Sequence, residues 1–143
     1  MGNDCRIFLI LRKFLFKFAV FALQLAGCQS AADLARSPLA GAMLETWAYG
    51  QLLRSFTNAG IDPQLYYFRN LDGAEVDFLL EYNQCLYPME VKQSTRPIAS
   101  DLKGLHRIPA ALNGMHPGIV LCTATRIEKL NTAGALSYPI SAL

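Results

Sequence analysis

Residues 75–92 read EVDFLLEYNQCLYPMEVK. Two largely apolar runs flank Asn83-Gln84, which is the pattern of a β-hairpin closed by a short turn. The turn fixes which residues face each other in an antiparallel pair. Closure about Asn83-Gln84 sets Asp77 opposite Glu90 and Glu75 opposite Lys92, and a four-residue loop from Tyr82 to Cys85 gives the same register. Side chains two apart share a face, so Glu75, Asp77, Glu90 and Lys92 are expected to form one square of charge.

Facing carboxylates destabilise an exposed sheet by a few tenths to about 1 kcal/mol, and more when partly buried. Lys92 neutralises one acid of the square and leaves two. A hard divalent cation removes the repulsion, because Mg²⁺ is commonly held by one or two carboxylates together with waters and substrate phosphate. Asp77 and Glu90 are therefore the expected ligands of Mg²⁺ or Mn²⁺. Such an ion orients and acidifies an attacking water and offsets charge developing on a phosphate, while Lys92 stabilises the same transition state. That chemistry is phosphodiester hydrolysis. Glu45, if its helix packs beside the hairpin, adds a ligand or holds a metal-bound water. The plainer reading of the same residues is a solvated cluster of salt bridges.

These side chains need elements to position them. Ser30 followed by Asp33 has the form of a capping box, and Ser37-Pro38 offers a second N-cap with proline at the first helical position. The second helix runs through GAMLETWAYGQLLRSF, where Ala48, Tyr49, Leu52 and Phe56 share a face with Glu45. NAGIDP is turn chemistry, LYYFRN reads as a strand, and Asp72-Gly73 supplies the next turn. Strands over 75–82 and 86–94 follow. Ser100 is expected to cap a helix DLKGLHRI that Pro109 ends, and GIVLCTA reads as a buried central strand. The order helix, three strands, helix, strand indicates an α/β domain, a mixed sheet flanked by helices.

The whole chain sets limits on partners. Its 143 residues are 52% hydrophobic, enough for one core. Thirteen basic and eleven acidic residues balance to +2, so composition alone does not point to nucleic acid. Cys5, Cys28, Cys85 and Cys122 have no metal-ligand spacing and are read as reduced thiols. His106 and His116 likewise lack ligand spacing. Glu75 is expected to pair with Lys92, Arg69, Arg96, Lys103 and Arg107 to be solvated surface, and Trp47, Tyr66, Tyr67 and Phe68 to be core.

The run FLILRKFLFKFAVFALQLAG is broken by Arg12, Lys13 and Lys17, and its longest uncharged piece is too short for a membrane span. No membrane partner is expected. Residues 1–27 are set apart from a domain over 28–143, either as a buried helix from a truncated preceding domain or, from LAGC around Cys28, as the leader of an exported lipoprotein.

An acid, a spacer and E-x-K on the next strand, preceded by a helical Glu, resembles the PD-(D/E)xK, or restriction-endonuclease-like, nuclease core. Glu45, Asp77, Glu90 and Lys92 stand at its positions. More narrowly, SAADLARSPLAGAMLETW, YYFRNLDGAEVDFLLE, LYPMEVKQSTRP and DLKGL resemble the C-terminal domain of unknown function carried by many bacterial and archaeal AAA+-type ATPases. The resemblance covers about residues 28–125. It implies an α-β-β-β-α-β core, a Mg²⁺ site, DNA as partner, a cytoplasmic location and an ATPase module upstream. The chain has no GxxxxGK[ST] phosphate loop, so ATP hydrolysis is not carried over; it also has no clear counterpart to a D-T-G-L stretch before residue 28. A Mg²⁺-dependent nuclease-like domain is thus the leading expectation. A non-catalytic regulatory or interaction domain of an ATPase, and the exported lipoprotein, are the alternatives.

Overall fold

The computed structural model describes residues 6–9, 27–69, 75–105, 108, 114–130 and 134–143. Seven strands, β1 (Arg6–Leu9), β2 (Gln64–Arg69), β3 (Glu75–Tyr82), β4 (Cys85–Lys92), β5 (Ile119–Cys122), β6 (Glu128–Lys129) and β7 (Leu136–Pro139), form one sheet in the order β1-β2-β3-β4-β5-β7-β6. The strands from β1 to β4 pair antiparallel. β4, β5 and β7 are parallel, and β6 lies antiparallel on β7. The long connections before β5 and β7 allow the parallel pairs, which a tight turn cannot join. This is the mixed α/β class read from the order of elements.

Two helices precede β2. In α1 (Ala31–Arg36) the Ser30 hydroxyl accepts the Asp33 N–H at 3.1 Å and donates to Asp33 Oδ2 at 2.7 Å, the cap expected from the sequence. The second cap differs from expectation. α2 (Ala40–Asn58) begins after Leu39, because Ser37 and Pro38 form a turn in which the Ser37 hydroxyl accepts the Leu39 N–H at 3.2 Å. A serine bonded locally to its own backbone competes with the helix in this way. α2 ends in a Schellman motif: Gly60 is left-handed at φ +74, its N–H bonds Thr57 O, and the Ile61 N–H bonds Phe56 O at 2.9 Å.

α2 buries Ala48, Tyr49 and Leu52 on one face of the sheet, against Phe78, Leu80, Met89, Val91 and Leu121, with Phe56 packed at the margin. The opposite face carries a second cluster that includes Phe68, Val76, Leu79, Val120 and Cys122. Leu102, Leu105 and Ile108 from the β4–β5 connection cover it. Where an α-helix is expected, the described residues instead form a 3₁₀ turn at Ala99–Leu102, and Leu105 accepts the Ile108 N–H at 3.3 Å in a further 3₁₀-type turn. Asp101, not Ser100, ties the start of the first turn, accepting the Ile98 N–H at 2.8 Å. Gly104 disfavours helix continuation, and the three-residue spacing of Leu102 and Leu105 suits a 3₁₀ path.

Arg6–Leu9, within the segment set apart before residue 28, is an edge strand where a helix or leader is read from sequence. The expected Asp72-Gly73 turn, Pro109 as a helix end, Cys5, His106, Arg107 and residues 10–26 lie outside the described residues. No helix among the described residues is long and apolar enough to cross a membrane.

Candidate functional site

The central hairpin closes as its sequence indicates. Asn83 and Gln84 take φ of 51° and 62°, the paired positive values of a type I′ turn. Cross-strand pairs run from Tyr82–Cys85 to Phe78–Met89. Asp77 and Glu90 stand one step beyond the last pair, and here the ladder changes. On the β2 side, the pairs Tyr66–Leu79 and Phe68–Val76 leave Asp77 and Phe78 together opposite Tyr67. This is a β-bulge, which bends a strand and re-aims its side chains.

The bulge breaks the period of two. Val76 and Leu79 enter the same cluster although three residues separate them. Glu75 is therefore turned off the face that regular alternation would give it. Its carboxylate pairs with Arg69 at 3.1 Å, which corrects the expected pairing with Lys92. Asp77 Oδ2 accepts the Val91 N–H at 2.8 Å, so a side chain holds β3 to β4 where the regular pairs end.

Glu45 from α2, Glu75 and Asp77 from β3, and Glu90 and Lys92 from β4 line one open cleft of about 460 Å³. The structure thus brings the four candidate residues Glu45, Asp77, Glu90 and Lys92 together. Asp101, Lys103 and Gly104 from the β4–β5 connection complete the wall. Lys103 is exposed, as expected, and also lines this cleft; its place depends on the path of the connection, which local sequence does not reveal.

Glu90 is the only buried acid among the described residues, at 6% exposure. Its Oε2 accepts from Lys92 Nζ at 3.3 Å. Burial, reinforced by the neighbouring Asp77 carboxylate, pushes its pKa up to about 7 against the opposing pull of Lys92. Glu45 is also raised, by burial first and by Asp77 next. Burial alone would lower the Lys92 ammonium, but Glu90 and Asp77 outweigh it and hold its pKa up. Like charges in a partly dry cleft thus oppose full ionisation.

A cation fits this chemistry through two acids rather than three. No group of three or more His, Cys, Asp or Glu side chains among the described residues is arranged to hold a metal. Mg²⁺ does not require one, since two carboxylates with water complete an ordinary shell. Asp77 and Glu90, which line the same cleft, are the residues that could hold such an ion.

The other residues distribute as follows. Phe68 is fully buried, whereas Trp47 is exposed at the surface, contrary to a core role. Tyr66 is half-buried and donates to Glu81 Oε2 at 3.2 Å. His116 stacks on Tyr87 with centroids 4.3 Å apart. Cys28, Cys85 and Cys122 are free thiols.

The class so defined is a mixed α/β domain with an acid-rich cleft beside a bulged hairpin. Residues 40–143 match the family described as domain of unknown function DUF4143, and the chain belongs to that family. No curated protein and no solved structure matches it.

Proposed function

We propose that this is a PD-(D/E)xK nuclease-like domain that holds a hard divalent cation in the acidic cleft and acts on phosphodiesters of DNA. The observation that carries the reading is Glu90, a buried acid beside a second carboxylate with a lysine within 3.3 Å. A fold keeps such an arrangement at an energetic cost, and strongly perturbed acids in clefts cluster at functional sites.

Asp77 and Glu90 would hold Mg²⁺ or Mn²⁺, which supplies an acidified water and charge neutralisation on the phosphate. Glu90 gives up its proton on ionising. Asp77 is kept in position by the Val91 amide. Glu45, at the α2 side of the cleft, orients water. Lys92 is a point charge that can leave Glu90 for the oxygen on which negative charge develops. The restriction-endonuclease-like designation of the core, the cytoplasmic location and the upstream ATPase module belong to the same proposal and rest on the sequence resemblance.

A second reading is favoured by one feature: Asp77 and Glu90 already have partners within the protein, in Val91 and Lys92. That self-contained arrangement suits a non-catalytic regulatory domain that keeps the core of a nuclease.

Cleavage of plasmid, single-stranded and branched DNA with Mg²⁺ or Mn²⁺ separates the two. The nuclease reading expects cleavage that Lys92→Ala reduces by roughly a hundredfold or more. Equal cleavage by Lys92→Ala would remove the cleft from the chemistry, and no cleavage of any substrate would favour the regulatory reading.

A further inference from the structure

The acidic cleft has a problem as a nucleic-acid site. Five acids and two lysines line it, so its own field repels a phosphate backbone. Even with one divalent ion bound, the cleft offers little attraction to flanking phosphates. Affinity for a polyanion comes mainly from cations and donors along its backbone, and these must lie outside the cleft.

A second, larger pocket of about 640 Å³ lies at the C-terminal ends of β4 and β5. Thr95, Thr123 and Thr125 line it, and their hydroxyls have no protein hydrogen-bond partner among the described residues. Arg96 and Arg126 add guanidinium groups. Arg126 is held by Glu128 at 2.6 Å, whereas Arg96 forms no ion pair among the described residues. Ser137 is buried in the wall and bonded to the Glu128 backbone. One acid against two arginines and three available hydroxyls makes this an anion-accepting site.

The two pockets are lined by neighbouring stretches of the same chain. Lys92 lines the cleft and Thr95 the pocket, a separation of three residues or at most about 10 Å of backbone. The chain then returns, with Pro97 in the pocket and Ser100 in the cleft. The Thr123 N–H bonds Ser94 O at 3.0 Å, fixing the ends of β5 and β4 side by side. We propose that the Thr/Arg pocket is a phosphate-binding subsite, which anchors a nucleic-acid strand by a phosphate neighbouring the one in the acidic cleft. The inference rests on the nuclease-like reading and extends it: the cleft supplies chemistry and the pocket supplies affinity, with Arg96 as its principal charge.

The test uses the full chain and a labelled single-stranded oligonucleotide, with Ca²⁺ in place of Mg²⁺, followed by fluorescence anisotropy across a salt series. Arg96→Ala should weaken binding about tenfold and reduce the slope of log K against log salt by about 0.7, the value for one phosphate contact on a single strand. Arg96→Lys should keep the slope, and Mg²⁺ affinity measured by calorimetry should be unchanged in both variants. Wild-type affinity and slope in Arg96→Ala, or no binding of the oligonucleotide by the wild type, would overturn the subsite. If Arg96 governs strand binding but calorimetry finds no cation in the cleft, the subsite stands and the phosphodiester-hydrolysis reading falls.

Discussion

The Asp77 carboxylate accepts the backbone N–H of Val91 at 2.8 Å, one step beyond the last regular pair of the β3–β4 hairpin. Burial raises the pKa of Glu90, and the same carboxylate adds to that rise. Structural and electrostatic roles therefore separate by substitution. Asp77→Asn keeps an acceptor for Val91 and removes the charge, so the Glu90 carboxyl should titrate below 7, as read by NMR of its side-chain carbon. Asp77→Ala also leaves a buried amide unsatisfied, which costs about 1–3 kcal/mol of unfolding free energy, read from a denaturation curve.

Glu90 also predicts how stability depends on pH. Its pKa is raised from 4.5 to about 7 in the fold, so between those values the folded chain holds a proton that the unfolded chain releases. The contribution is fully present below about pH 4.5 and is lost as pH rises through 7. The difference is on the order of 3 kcal/mol for such a shift. The raised Glu45 acts in the same direction. Urea unfolding of the metal-free protein at a series of pH values should show this decline, and Glu90→Gln should flatten it. A divalent cation should restore stability above pH 7, where Glu90 is free to ionise.

Gly104 is expected to be sensitive for reasons of space. A Cβ there would collide with the Glu75 carbonyl and come within 2.8 Å of Glu90 Oε1. Gly104→Ala should cost about 1–3 kcal/mol through overpacking and weaken cation binding by displacing Glu90. Gly41, in α2, provides the comparison, because a Cβ there meets nothing within 4 Å. Gly41→Ala should be stabilising by about 0.5–1 kcal/mol, with cation affinity unchanged. Melting curves and cation titration of the two variants check both statements.

The register of the hairpin was legible because turn chemistry fixes it: once Asn83-Gln84 closes the turn, Asp77 and Glu90 must approach each other. The buried face of α2 was legible from the spacing of Ala48, Tyr49 and Leu52 after Glu45. The bulge was not. Nothing within EVDFLLEY marks an extra residue, since the irregularity depends on how many residues of β2 stand between Tyr66 and Phe68. The missed bulge accounts for Glu75 pairing with Arg69 in place of Lys92. Asp101, Lys103 and Gly104 enter the cleft only because Leu102 and Leu105 dock on the far sheet face, a long-range packing choice. The strands β1, β6 and β7 are two to four residues long, too short for periodicity to distinguish.

Asp77 and Glu90 are proposed to hold one hard ion between them. Isothermal calorimetry of Mg²⁺ and Mn²⁺ into the wild type and the Asp77→Ala, Glu90→Ala double variant, each checked for folding by circular dichroism, tests it most directly. A single cation site in the wild type, tightening as pH rises through 7 and absent from the folded double variant, is the predicted result. Unchanged binding by the double variant, or no binding by the wild type, would show that Asp77 and Glu90 hold no ion.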